Sequence, residues 1–387
     1  MRLARRTGLI KPSGTIAMAE KAREMERRGR RICRLDVGEP DFDTPEHIKE
    51  AAIKAIKEGF THYTPSRGLP ELREAIAEDL ERRGIQADPK SEIIVTPGAK
   101  HAIYCACLST LDPGDEVLVL SPTWTTHFQC IEIAEARAVE VPCGEEYSLD
   151  EEELKARVTG KTKMILMGSP NNPTGGVLSD GAVRAIVEIA EDNDLLILSD
   201  EIYDRLVYDG LKPISPSSIG DRERIIVVNG FSKAYAMTGW RLGYAYACRE
   251  IIDSMTRIQQ STTTCPVSFV QKAGVEALRG PQADVERMVR EYDRRRRFIV
   301  EGLNEIEGFR CTMPRGAFYA FPDISGFGMP SSDFCLRLLE EKGVSTTPGS
   351  IFGESGEGHI RVSYANNIQV LREAVEKIRE FADDLWR

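Results

Sequence analysis

Five short aliphatic runs recur through the first part of the chain: Ile93-Ile94-Val95, Val117-Leu118-Val119-Leu120, Met164-Ile165-Leu166-Met167, Leu195-Leu196-Ile197-Leu198 and Ile225-Ile226-Val227-Val228. A strand with one wet face alternates apolar and polar residues, whereas a run that is apolar throughout suits a strand covered on both faces. Such strands belong to largely parallel sheets, whose neighbours are joined by crossover helices. Several of the intervening stretches, such as Ser179 to Asn193, are long enough to supply one. The pattern predicts an α/β region running roughly from residue 46 to 285. Its first helix is expected at Asp43-Thr44-Pro45-Glu46, with Thr44 as cap and Pro45 in the first turn. Ile48, Ala52, Ile53 and Ile56 would form its buried face, and Gly59 would end it.

From Glu286 onward the pattern changes to long charged helices flanking a short β-like segment, Ala317-Phe318-Tyr319-Ala320-Phe321. This predicts a smaller α+β domain of residues 286–387, with the first 45 residues returning to pack against it. A length of 387 residues suits two such domains sharing one site.

Composition narrows the function. A formal net charge of −10 disfavours a general nucleic-acid binder, which needs a positive surface. The basic runs at Arg27, Arg28, Arg30 and Arg31 and at Arg294 to Arg297 lie in Glu-rich helical sequence and are expected to be solvated faces with ion pairs. Nine cysteines without a CxxC pair make a poor disulfide framework, and Cys105 and Cys107 read as core filling. No run approaches the roughly 18 apolar residues of a membrane span, and Lys11, Pro12, Ser13 and Gly14 interrupt any leader-like stretch. A soluble protein of the reducing cytoplasm is expected. Gly160-Lys161-Thr162 imitates the end of a phosphate-binding loop, but position 155 is Lys where that motif needs Gly. No strand is followed by GxGxxG, and neither HExxH nor paired-cysteine metal spacing occurs.

In open parallel sheets, ligands bind beyond the carboxyl ends of the strands, so the residues after each run matter most. The first run leads into Thr96-Pro97-Gly98-Ala99-Lys100, a glycine turn before a helix whose free N–H groups suit a phosphate. The third leads into Gly168-Ser169-Pro170-Asn171-Asn172-Pro173-Thr174-Gly175, a rigid loop that fixes an amide. The fourth leads into Ser199-Asp200-Glu201-Ile202-Tyr203, where two acids at a buried strand end need partners. The fifth leads into Asn229-Gly230-Phe231-Ser232-Lys233, followed by no further charge until Arg241. A lysine so enclosed, with a cation nearby, loses basicity and becomes a nucleophilic amine, while Arg241 offers a rigid fork to a phosphate.

Together these segments resemble the class I aminotransferases of the pyridoxal-phosphate (PLP) fold-type I family, and especially its bacterial and archaeal aspartate and aromatic members. The likeness runs from Gly38-Glu39-Pro40-Asp41-Phe42 to Arg361-Val362-Ser363-Tyr364-Ala365. It implies a large domain with a mostly parallel seven-stranded sheet between helices, and a smaller α+β domain. By resemblance, Lys233 holds PLP as a Schiff base and moves the substrate Cα proton. Asp200 pairs with the pyridine nitrogen and makes the ring an electron sink. Tyr203 and Asn172 bond the ring O3′ oxygen, and Trp124 stacks on the ring. Gly98, Ala99, Ser232 and Arg241 form the phosphate cradle. Tyr63 reaches the phosphate of a neighbouring subunit, which implies a homodimer with shared sites. Arg361 binds the substrate α-carboxylate beside the Gly38 backbone.

Lys100, with the threonine Thr15, resembles the pair that holds the distal carboxylate in aspartate-preferring relatives. The resemblance therefore implies transfer from aspartate to 2-oxoglutarate. An aromatic amino acid or prephenate is the alternative donor, and a PLP lyase or decarboxylase is the alternative chemistry. A PLP-sensing regulator is disfavoured because no DNA-binding domain is expected before the fold. Three positions depart from the family pattern: Gly230 stands where some relatives carry a phosphate-binding serine, and Thr123 and His127 stand where many carry aromatic residues. His127 is expected to be packed and satisfied.

Overall fold

The computed structural model describes residues 5–8 and 14–387, the side chains of residues 5, 6 and 14–17 apart. In chain order the strands are β1 (Cys33–Arg34), β2 (Ile93–Thr96), β3 (Glu116–Ser121), β4 (Arg137–Pro142), β5 (Thr162–Gly168), β6 (Leu196–Asp200), β7 (Ile225–Gly230), β8 (Gly243–Tyr246), β9 (Tyr319–Ala320), β10 (Val344–Ser345), β11 (Thr347–Pro348) and β12 (Ile360–Ser363). Seven of them form one sheet in the order β2-β8-β7-β6-β5-β3-β4. All run in one direction except β8, which lies antiparallel between β2 and β7.

Each of the five aliphatic runs is a strand of this sheet. Successive residues face opposite sides, and both sides are dry. Ile165, Met167, Ile197 and Ile225 join one apolar core, while Met164, Leu166, Leu198 and Ile226 join the other. The helix Asp180–Asp192 covers the first core through Val183 and Ile186, and Ala99–Thr110 and Arg249–Thr262 cover the second through Ile103 and Ile252. The other two strands carry no aliphatic run that would locate them in the sequence. β4 is an edge strand whose short apolar stretches are interrupted by Arg137 and Glu140, and β8 is Gly-Tyr-Ala-Tyr, with no aliphatic run to mark it.

The first expected helix is Glu46–Lys57, but two details differ. Thr44 does not cap it: its hydroxyl donates to the Ala236 carbonyl at 2.6 Å and accepts from the Trp240 indole at 3.0 Å. The buried face is Ile48, Ala52 and Ala55, whereas Ile53 and Ile56 are each 47% exposed.

Beyond residue 280 lie the long helices Ala283–Asn304 and Ile368–Trp386. The expected β-like segment narrows to β9, which joins an antiparallel sheet in the order β11-β12-β9. β1 pairs in parallel with β10, and the helix Gly14–Arg27 lies beside β10 and β11, so this early stretch sits against the late segment. The arginine run 294–297 is only partly a solvated face. Arg294 and Arg297 pair with acids on exposed helix surface, but Arg295 and Arg296 are buried and pair with Asp41 and Asp209. Of the other run, Arg28 and Arg31 pair with Glu24 and Glu373. Cys105 and Cys107 are buried in the second core, and all nine cysteines are free.

Candidate active site

β2, β3, β5, β6 and β7 end at the same edge of the sheet, because the single reversed strand β8 leaves their direction unchanged. A cavity of about 790 Å³ opens there. Ala99, Lys100, Trp124, Asn172, Asp200, Tyr203, Ser232, Lys233, Arg241, Gly38 and Arg361 all line it. Gly98 does not line it but packs against the guanidinium of Arg241, which does. Tyr63 does not line the cavity and is 88% exposed. Thr15 lies outside the residues whose side chains are described.

Lys233 follows β7 by three residues and is half-buried. Its ammonium donates to the Gly38 carbonyl at 2.6 Å and lies 5.8 and 5.7 Å from the rings of Tyr203 and Phe318. Burial, then the nearby charges of Arg361 and Arg241, pull its pKa from 10.5 down to about 8, against the opposing pull of Glu39 and Asp200. A substantial neutral fraction near neutral pH is what a nucleophilic amine requires.

Asp200 is the last residue of β6 and is 6% exposed. One carboxylate oxygen meets His127 Nε2 at 3.1 Å, and the other accepts the Ile202 N–H at 3.2 Å. His127 Nδ1 in turn meets the Thr123 hydroxyl at 2.8 Å. Thr123 and His127, two of the three positions that depart from the family pattern, thus form a buried hydrogen-bonded chain behind Asp200. His127 is packed and satisfied, as expected, but its partner is the acid of the site. The neighbouring acid Glu201 is engaged elsewhere, by Arg83, Ser199 and Ser215.

At the other end of the cavity, Arg361 is 3% exposed. Its Nη2 donates to the Asp36 carbonyl at 2.7 Å and its Nη1 to Asn172 Oδ1 at 2.9 Å, while Nε has no partner. The guanidinium lies 4.5 Å over the Tyr319 ring and 5.1 Å over that of Phe352. A buried cation with an unspent N–H and no paired carboxylate among the described residues is a ready anion site. Lys100 stands on the cavity wall 5.0 Å over the Trp124 ring, and burial lowers its pKa. No described carboxylate pairs with it.

Tyr203 and Tyr319 share a hydrogen bond of 2.7 Å between their hydroxyls. The sequence marks Tyr319 only as part of a strand, and it does not single out Glu39 and Thr238, which also line the cavity and bond each other at 2.5 Å. Their one sequence signal is membership of the segments that hold Gly38 and Lys233.

PLP needs a phosphate cradle, a carboxylate for its ring nitrogen and an amine for its aldehyde, and the cavity fits all three. The helix Ala99–Thr110 presents its first-turn N–H groups there, beside Ser232 and Arg241. Gly98 makes the cradle possible: its φ of +85° excludes most side chains, and a Cβ would come within 2.6 Å of Arg241 Nη2. Asp200 and Lys233 are a carboxylate and an amine of the kinds the other two parts need, on the wall of the same cavity. Among the described residues, no cluster could hold a metal ion.

Residues 30–378 match the family described as aminotransferase class I and II. The chain is 42% identical to an aromatic-amino-acid aminotransferase of Thermococcus litoralis over 386 residues, 98% of each chain. It is 43% identical to an aspartate aminotransferase of Pyrococcus abyssi over the same length, again 98% of each. The solved aspartate aminotransferase of Thermus thermophilus with maleate superposes with a TM-score of 0.94 at 41% identity, over 98% of this chain and all of that one. Fold, cavity chemistry and similarity agree: the chain belongs to the class I and II aminotransferases and is a PLP-dependent transaminase.

Proposed function

We propose that this aminotransferase takes its amino group from aspartate and passes it to 2-oxoglutarate in two alternating half-reactions. The observation that carries the reading is Lys100, a cation on the wall of the same cavity as Arg361 with no described carboxylate to neutralise it. Among the described residues, four cationic side chains line the cavity, Lys100, Lys233, Arg241 and Arg361, against the carboxylates of Glu39 and Asp200. A bound phosphate satisfies Arg241, which leaves Arg361 and Lys100 for the two ends of a dicarboxylate. Both proposed substrates are dicarboxylates. Several relatives are named aspartate aminotransferase, which supports the same choice.

In this reading PLP, when bound, supplies the electron sink that makes the substrate Cα–H bond acidic. Arg361 holds the α-carboxylate through its fork of donors, with the Gly38 backbone beside it. Lys233 Nζ would hold the cofactor aldehyde and, as the nearest amine, would carry the proton that leaves the substrate Cα. Its lowered pKa suits both tasks. Asp200, held by His127, would keep a proton on the ring nitrogen. Tyr203 and Asn172 would bond the ring oxygen, Trp124 would cover the ring face, and Gly98, Ala99 and Ser232 would complete the cradle around the phosphate.

An aromatic donor is the second reading, favoured by the rings of Trp124, Tyr203 and Tyr319 around the cavity and by the relative named for aromatic amino acids. We further propose a homodimer, since Ile53 and Ile56 at 47% and Tyr63 at 88% expose apolar surface that a second copy would cover. Tyr63 would then reach the partner's phosphate. Large and small domains at residues 46–285 and 1–45 with 286–387 fit the division of the strands between the sheets. A cytoplasmic location fits nine unpaired thiols, and no helix among the described residues is long and apolar enough to cross a membrane.

The test is spectral and kinetic. With PLP, a visible band should appear that aspartate bleaches and 2-oxoglutarate restores. Lys100→Ala should raise KM for aspartate by about 10–100-fold, the worth of a hydrogen bond between charged groups, and leave KM for tyrosine nearly unchanged. Equal effects on both donors would remove aspartate from the proposal.

A further inference from the structure

Tyr319 stands where the cofactor side and the substrate side of the cavity meet. Its hydroxyl lies 2.7 Å from that of Tyr203, and its ring lies under the Arg361 guanidinium at 4.5 Å. Both tyrosines are buried, at 1% and 4% exposure. The same hydroxyl fills the space beside Gly38, where a Cβ would come within 2.7 Å of it. The Gly38 carbonyl is the acceptor for Lys233. One phenol therefore touches the backbone that holds the lysine, the tyrosine expected at the ring oxygen, and the arginine expected at the carboxylate.

The direction of the shared hydrogen bond follows from chemistry. Each phenol has one hydrogen, so one of the pair donates and the other accepts. Burial raises the pKa of both hydroxyls. The Arg361 guanidinium stands 4.5 Å over the Tyr319 ring, closer than Lys233 Nζ stands over that of Tyr203 at 5.8 Å, so Tyr319 is the more acidic of the two. The more acidic phenol is the better donor, so Tyr319 donates. Tyr203 then keeps its own hydrogen for a third partner.

We propose that Tyr319 is a positioning residue that donates to Tyr203 and so directs the Tyr203 hydrogen onto the ring oxygen of bound PLP. The inference rests on the PLP reading of the cavity, with Tyr203 as ligand of that oxygen. A hydroxyl that accepts one hydrogen bond becomes a stronger donor in the next. Donation to the ring oxygen stabilises its anion and eases loss of the proton shared between that oxygen and the Lys233 nitrogen. The other charged groups facing Lys233 are Glu39, Asp200, Arg241 and Arg361, and removing one hydroxyl leaves all four in place.

The test is Tyr319→Phe, which keeps the ring beneath Arg361 and loses only the hydroxyl. The visible band of the holoprotein is titrated between pH 5 and pH 10, and the thermal unfolding midpoint is recorded alongside. The band's midpoint should rise by about 0.5 of a pH unit. Tyr203→Phe should raise it further, and the double variant should match Tyr203→Phe alone, because Tyr319 acts through Tyr203. An unmoved midpoint in a protein whose band is intact overturns the proposal, whatever happens to thermal stability. So do two effects that add in full. A wild-type protein with no titrating band, or a band that persists in Lys233→Ala, overturns instead the cofactor reading beneath it.

Discussion

The depressed basicity of Lys233 makes a prediction that needs neither cofactor nor substrate. A lysine whose pKa falls from 10.5 in the unfolded chain to about 8 in the folded one is held at a cost. Between those two values the unfolded chain binds the proton and the folded chain does not, so stability rises with pH across the window. Below pH 8 both states are protonated and the cost is present in full; above 10.5 it is gone. The two pKa values give a penalty of about 3 kcal/mol at pH 7, about 2 at pH 9 and about 1 at pH 10. Lys233→Met removes the titrating group and fills similar volume. It also loses the bond to Gly38, but that loss does not vary with pH and drops out of the comparison. Urea unfolding of the two apoproteins at pH 7, 9 and 10 should therefore show the wild type gaining on the variant by about 2 kcal/mol across the series. A constant difference would mean that the folded lysine titrates near 10.5, and the burial argument for its reactivity would fall.

Two further outcomes follow from geometry. Gly98→Ala combines a backbone conformation that costs a side chain about 1–3 kcal/mol with a contact on Arg241, so PLP should dissociate from it at least about tenfold more readily, as read by fluorescence on dilution. Ile56→Asp places a charge in the exposed apolar stripe and should convert a dimer to a monomer in sedimentation velocity; a variant that sediments like the wild type would move the interface elsewhere.

Much of the site was legible because strand ends are legible. Five aliphatic runs marked five strands, and the rule that ligands gather at carboxyl ends led to Gly98, Asn172, Asp200 and Lys233 without any view of the fold. What escaped was set by tertiary partners. Thr44 has the right chemistry for a cap, but a carbonyl 192 positions away took its hydroxyl. The helical period that chose Ile48 and Ala52 was sound, yet it did not say that the stripe would turn toward Ala55 and leave Ile53 and Ile56 in solvent. His127 and Tyr319 carry no local sign of their roles, because their partners Asp200 and Tyr203 lie 73 and 116 residues away. A side chain's chemistry is written in the sequence; the group it meets is written only in the packing.

The glycine at position 230 shows how a departure from a family pattern is decided by packing rather than by lost chemistry. Gly230 lies opposite Gly243 in the antiparallel pair of β7 and β8. A Cβ on Gly230 would come within 2.9 Å of the Gly243 Cα and 3.0 Å of the Leu242 carbonyl, so a serine there would force the strands apart. A Cβ on Gly243 would come within 2.4 Å of the Ala99 N and 2.6 Å of the Gly98 carbonyl carbon. The two glycines thus let the reversed strand close under the turn that opens the helix Ala99–Thr110. That closeness holds the helix N-terminus at the edge where β7 delivers Ser232 and Lys233. In the proposed cradle a serine hydroxyl at position 230 would be exchanged for tighter seating of backbone N–H donors, and Ser232 would remain as the hydroxyl.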